Sequence, residues 1–283
     1  MSGAVLLLAL SALSPTADDT TFVVPPGARI VVEHRDGEID VMGVRGREAR
    51  VLMDGEARAA LAYESGGVIH VGQSRRWDDG GDLSLWVPHD VDVAVHGLDG
   101  DVRIIDVSGD VSVETADGDV EVDGARSVRI ASVDGDVELF DIDGDADVHI
   151  GDGDAWLRDV RGAVEVNGVD GDLVVIDGDC RSVTLTTVSG DVWYDGEVYS
   201  DGEYALGTHD GDITFAMPEG AGASISISTF DGAVRPSFPV QFRGGRGRAS
   251  QFTIGDGSSR VTLEAFDGDI FLIRPGERSP ERN

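Results

Sequence analysis

Aspartates paired around a single glycine are the residues of this sequence whose type and spacing could do chemistry. The triplet Asp-Gly-Asp begins at positions 99, 117, 134, 143, 152, 170, 177, 210 and 267. Carboxylate oxygens are the ligands calcium prefers, so Asp99, Asp101, Asp117, Asp119, Asp134, Asp136, Asp152, Asp154, Asp170 and Asp172 are candidate calcium ligands. The same triplet has a structural use. Glycine supplies the positive φ of a tight turn, and an Asp before it can accept backbone N–H groups in an Asx-turn. Calcium-binding nonapeptide rolls carry GGxGxD turns, whereas here one Gly is followed directly by Asp. The expectation is no cofactor, with a calcium-binding β-roll as the alternative.

Other chemistries find less support. Some parallel β-helices act on polysaccharides with two or three carboxylates about 5 to 9.5 Å apart in a groove bounded by long loops. The turns here are short, so a polysaccharide-active β-helix enzyme stands as the second alternative. The six His (34, 70, 89, 96, 149 and 209) show no HExxH spacing, and only His149, near Asp147 and Asp152, falls inside the acidic block. Neither a GxSxG elbow nor a GxGxxG loop occurs. The single Cys180 excludes an internal disulfide and a Cys-rich zinc site, and reads as a small core residue. Trp77, Trp86, Trp156 and Trp193 could stack on sugars, but beside strands they read as core or cap side chains. No catalytic residue is assigned.

Charge narrows the partners. The 283 residues include 22 basic and 54 acidic side chains, a net charge of −32, and every basic residue is Arg. Without Lys there is no P-loop, no pyridoxal Schiff base and no kinase strand lysine. So acidic a chain has no electrostatic means of binding nucleic acid or an anionic membrane. The expected partner is an envelope protein or glycan, with no nucleic acid.

An internal repeat must position the Asp pairs. Counting from a turn glycine, apolar residues recur at +2, +4 and +7: Val102, Ile104 and Val107 from Gly100; Val137, Leu139 and Ile142 from Gly135; Ala155, Leu157 and Val160 from Gly153; Val164, Val166 and Val169 from Gly162. A +2/+4 pair has period two, so each unit holds a short strand with one buried face. Every second unit places turn glycines at 100, 118, 135, 153, 171, 190, 211 and 232, with Gly268 two coils further on. The predicted fold class is all-β: a parallel β-solenoid with two short strands per coil of about 18 residues and irregular β caps.

The rest of the chain divides around that repeat. Residues 1–17 read as a signal peptide, an apolar run from Ala4 to Leu13 followed by small residues, too short to span a bilayer. Residues 18–98 read as an N-terminal β cap and first coils, 99–274 as the solenoid with its C-terminal cap, and 275–283 as a disordered tail. Arg243 to Arg248, RGGRGR, reads as a hairpin loop. The mature chain is expected to be exported to periplasm, cell surface or medium, without a transmembrane span.

The VSGDV and VDGDV units, LSLWVPHDVDVAV at 83–95 and GDITFAMPEGAGASISISTFDGAVRPSFPV at 211–240 resemble the bacterial β-strand-repeat, candidate-adhesin domain family of unknown function. The resemblance spans roughly residues 22 to 273. It implies an exported β-solenoid with a structural or adhesin-like binding role at the cell envelope, and it carries over no catalytic residue.

Overall fold

The computed structural model describes residues 19–53, 60–73, 81–240 and 249–277. The signal-peptide reading, Trp77, RGGRGR and the end of the tail lie outside the described residues. Every regular element described is a β-strand, and the fold is the expected all-β solenoid. Strands form where the alternation dictates. In Val137–Ile142, Val137 and Leu139 are fully buried while Glu138 points outward.

The chain divides into two compact units, 1–135 and 136–283. In the first, one sheet runs Asp19–Val23, Glu48–Met53, Leu83–Pro88, Ile39–Val44, Val102–Ile105, Val120–Asp123. Its second sheet runs Ser127–Asp134, Asp110–Thr115, Asp92–His96, Arg29–Glu33, Val68–Gln73, Ala60–Ser65. The second unit repeats the plan. One sheet runs Val137–Ile142, Ala155–Val160, Leu173–Gly178, Val192–Gly196, Ile213–Ala216, Ile270–Ile273, Val234–Pro236. The other runs Ala146–Asp152, Val164–Asn167, Ser182–Ser189, Glu203–Asp210, Ser259–Asp267, Ala223–Asp231, Ala249–Ile254.

Pairing in the regular part is parallel and in the expected register. Val102 faces Val120 and Ala155 faces Leu173, each one coil of 18 residues apart. Antiparallel strands close the stacks: Glu48–Met53 on Leu83–Pro88, Ala60–Ser65 on Val68–Gln73, and Ala249–Ile254 on Ala223–Asp231. They cover edges that would otherwise offer unpaired N–H and C=O groups.

The order of coils departs from the order of the sequence. Ser259–Asp267 pairs with Glu203–Asp210 on one side and Ala223–Asp231 on the other, so the last coil is wedged between the two before it. Gly268, not Gly232, therefore stacks directly on Gly211. In the first unit Arg29–Glu33 is likewise wedged between Val68–Gln73 and Asp92–His96. Spacing along a chain cannot reveal such an insertion, because all coils share one pattern.

Stacking explains the corner glycines. Gly171 has φ +133°, and a Cβ there would lie 2.0 Å from the carbonyl oxygen of Gly153. The corners of successive coils touch backbone to backbone, which only glycine permits.

Aliphatic side chains fill most of the core, but the second unit adds Tyr194, Tyr204 and Phe215, with ring centroids 5.4 to 5.8 Å apart. The two tyrosine hydroxyls find backbone partners: Tyr194 donates to the Glu197 carbonyl at 2.8 Å and Tyr204 to the Cys180 carbonyl at 2.9 Å. Cys180 is buried and donates to the Val160 carbonyl, and burial pushes its thiol up to about 12.

The apolar +7 residues divide into two sets. Val107, Ile142 and Val160 are buried, but Val169 is 52% exposed. The two halves of a coil are not equivalent. In the half that feeds the second sheet, +7 falls two residues before the next corner glycine, where the side chain turns outward.

Candidate functional site

Within each unit the structure gathers the candidate Asp residues at one corner of successive coils and gives post-glycine members backbone donors. Asp101 Oδ1 accepts the N–H of Asp119 at 2.9 Å. Asp136 and Asp154 accept those of Asp154 and Asp172, each at 2.8 Å. The ladder continues through Asp172, Asp191 and Asp212, which accept from Asp191, Asp212 and Asp269. Burial, the leading cause, pushes the carboxyls of Asp172 and Asp212 above their usual range. The pre-glycine residues Asp99, Asp117, Asp134, Asp152 and Asp170 are exposed. Asp99 lies in a parallel bridge with Asp117, and Asp152 with Asp170. Among the described residues, no group of three His, Cys, Asp or Glu side chains is placed to hold a metal ion. His149 is exposed, and its Nε2 lies 3.1 Å from Asp147 Oδ1.

A second feature was not singled out from the sequence. Among the described residues of the second unit, the exposed large apolar side chains are Val169, Val188, Phe230 and Phe266, each two residues before a corner glycine. Register places them in one file across the coils, with His209 between Val188 and Phe266. His209 stacks on Phe266 at 4.6 Å and Phe266 on Phe230 at 4.8 Å. Beside this file opens a shallow cavity of about 530 Å³, its other wall formed by Thr186, Ser228 and Glu264. Gly207 leaves the gap between them. Asp210, Asp231 and Asp267 follow the aromatic residues directly and are exposed. The signal was present in the sequence: Val169, Val188, Phe230 and Phe266 each stand two residues before a glycine, directly ahead of the turn.

A third feature corrects the reading of the tryptophans. Trp86, Trp156 and Trp193 occupy outward positions of the first sheets and are half-buried, not in a core. The Arg50 guanidinium lies 5.2 Å from the Trp86 ring. In the second unit the outward residues in register are Glu138, Trp156, Val174, Trp193, Thr214, Phe271 and Arg235, one per coil. Aromatic residues thus alternate with small ones from Trp156 to Phe271, with a charged residue at each end.

Residues 78–272 match the family model described as Toastrack DUF4097. No curated protein matches the chain. Among solved structures, a candidate adhesin from Bacteroides fragilis is 13% identical, with a TM-score of 0.44, covering 92% of this chain and 98% of its own. A candidate cell adhesion protein from Clostridium sporogenes is 10% identical, with a TM-score of 0.28, covering 92% of this chain and all of its own.

Proposed function

The chain belongs to the Toastrack DUF4097 family, and on that premise we propose that it is an exported, non-enzymatic β-solenoid with an adhesin-like binding role at the bacterial cell envelope. The observation that carries the reading is the file of Val169, Val188, His209, Phe266 and Phe230 beside its cavity. Scattered exposed apolar residues are ordinary, but their collection into one file marks a contact surface. Phe266 is covered on both faces by its neighbours, so the rings present edges outward. Ring edges bordered by carboxylates suit a protein surface with apolar and basic side chains. The apolar run at 4–13 supports export.

The test is retention on isolated envelopes. Wild-type protein is expected to sediment with them, and a Phe230→Ser/Phe266→Ser variant of unchanged melting temperature to lose about tenfold in affinity, the equivalent of 1.4 kcal/mol. The mature N-terminus is expected between Ala12 and Asp19. Equal retention of both proteins, or intact Met1 on envelope-associated protein, would overturn the reading.

A further inference from the structure

We propose that the gap over Gly207 is a pocket for a lysine or arginine side chain of a protein partner, with Glu264 as its counter-charge. The proposal rests on the reading of the exposed file as a contact surface, and it names what that surface recognises.

The backbone does not require a glycine here. Gly207 lies inside the eight-residue strand Glu203–Asp210, is not among the positive-φ glycines, and pairs in unbroken register with Thr186 on one side and Glu264 on the other. It serves neither a turn nor a bulge. A Cβ on Gly207 would meet the Thr186 Cγ2 at 3.2 Å and the Glu264 carbonyl oxygen at 3.8 Å, so no backbone collision of the kind seen at the corners holds the position to glycine. Glycine in a strand interior weakens the strand, and it often marks a place where another group approaches closely. Here its missing side chain opens the outward face. Thr186, Gly207, Glu264 and Ser228 follow one another across four strands, and Val188, His209, Phe266 and Phe230 follow in the same order two residues on. The cavity of about 530 Å³ over this grid is of the size that ligand sites have, roughly 300 to 1,000 Å³.

Charge selects the occupant. Glu264 is exposed on the cavity wall and forms no ion pair with any described residue. The arginines of these strands are engaged away from it: Arg260 with Glu203 at 2.7 Å, and Arg181, just ahead of Ser182–Ser189, with Asp201. Asp210 and Asp267, exposed beyond the file, add to the negative potential. A cation is therefore attracted and an anion repelled. His209 and Phe230 cover both faces of Phe266, so that ring has no face for a cation, and the charge must be met by the carboxylate. A long basic side chain fits both parts of the site: its methylenes lie along the apolar file and its head reaches Glu264. Glu264 stands two residues before Phe266 on one strand, roughly 6 to 7 Å along it, a reach that the stem and head of lysine or arginine span.

Capped peptides Gly-Leu-Xaa-Leu-Gly, with arginine, lysine, citrulline or glutamate at the centre, are titrated into the full chain by calorimetry. The arginine and lysine peptides are expected to bind, and the neutral citrulline and acidic glutamate peptides to bind about tenfold more weakly or worse. Glu264→Gln should weaken the arginine peptide about tenfold, whereas Glu203→Gln, the same loss of charge on the same sheet, should leave it unchanged. Gly207→Thr fills the gap with a good strand former and should weaken binding at least as much without lowering the melting temperature. Glu264→Gln alters an exposed side chain without changing its shape, so it keeps the test decisive should Gly207→Thr fail to fold. The proposal is overturned if neither basic peptide binds, if the citrulline peptide matches the arginine peptide, if Glu264→Gln binds like wild type, or if acetyl-arginine amide alone binds as tightly as the peptide, which would make the occupant a free cation. The peptides report on the pocket without envelopes, so failure here and failure of envelope retention are separate results. Lost retention in Phe230→Ser/Phe266→Ser with full retention in Glu264→Gln would keep the contact surface and remove the basic side chain from it.

Discussion

The Asp154 carboxylate accepts the backbone N–H of Asp172 at 2.8 Å, one coil further along the stack. This single bond explains why the sequence repeats Asp after all but one of the corner glycines from Gly100 to Gly268. The glycine brings two backbones into contact, and the N–H that follows it needs an acceptor from the neighbouring coil. Replacing Asp154 by Ala should cost about 1 kcal/mol, the usual net worth of such a bond. Asp170→Asn, at an exposed pre-glycine position, should cost less than about 0.5 kcal/mol. Thermal melts of the two variants decide it. Sodium chloride should raise the melting temperature by screening the acidic corner, and calcium chloride at equal ionic strength should add nothing further. A larger rise with calcium would show coordination beyond the ladder.

Val137 tests the register of the core. It is fully buried among aliphatic side chains, so Val137→Asp places an unpaired charge there and should cost several kcal/mol. Glu138→Gln, on the opposite face, should cost less than about 0.5 kcal/mol. Equal losses in chemical denaturation would contradict the inward position of Val137.

Positive-φ glycines differ in what surrounds them. Gly171 combines a positive φ with backbone contact to Gly153, whereas Gly220, with φ +84°, has open space around its Cα. Gly220→Ala should cost only the strain of its φ, about 1 kcal/mol. Gly171→Ala must also push two coils apart, and should cost several times more or prevent folding. Expression yield and melting temperature of the pair separate strain from collision.

The fold was legible where physics is local and repeated. Period two from Val137 to Leu139, and corner glycines 18 residues apart, each have one structural solution. The wedged coil of Ser259–Asp267 was not legible, because its apolar pattern fits any position in the stack. The Asp pairs were visible as candidates, but whether a carboxylate faces an ion or a neighbouring N–H depends on register in space. Val169 was visible only as an apolar residue at +7, and the tryptophans read as core or cap side chains because they are apolar. Their neighbours decide otherwise: Trp156 sits between buried Ala155 and Leu157 and must face out.

The wedge predicts an unusual dependence on the chain's end. Removing residues 259–283 deletes the coil that both Glu203–Asp210 and Ala223–Asp231 pair with, exposing two sheet edges at once. The truncated chain should aggregate or lose its cooperative melt. Removing only 278–283 should leave the melt unchanged. If the longer truncation melts like the full chain, the insertion of the last coil is refuted.

His34 supplies a pH test of the first unit. It is 5% exposed, and burial, the leading cause, pushes its imidazole below the usual value; Asp36 and Asp82 oppose this. The folded protein therefore holds His34 neutral at pH values where the unfolded chain, with a pKa near 6.5, takes up a proton. Stability is full above about pH 6.5 and falls as the pH drops from there toward the lower folded pKa, because protons bind preferentially to the unfolded state. Denaturant unfolding between about pH 7.5 and 5 should show this loss. His34→Gln, which cannot titrate, should flatten that part of the profile even if it lowers stability throughout. An unchanged slope in His34→Gln would assign the pH dependence to the carboxylates instead.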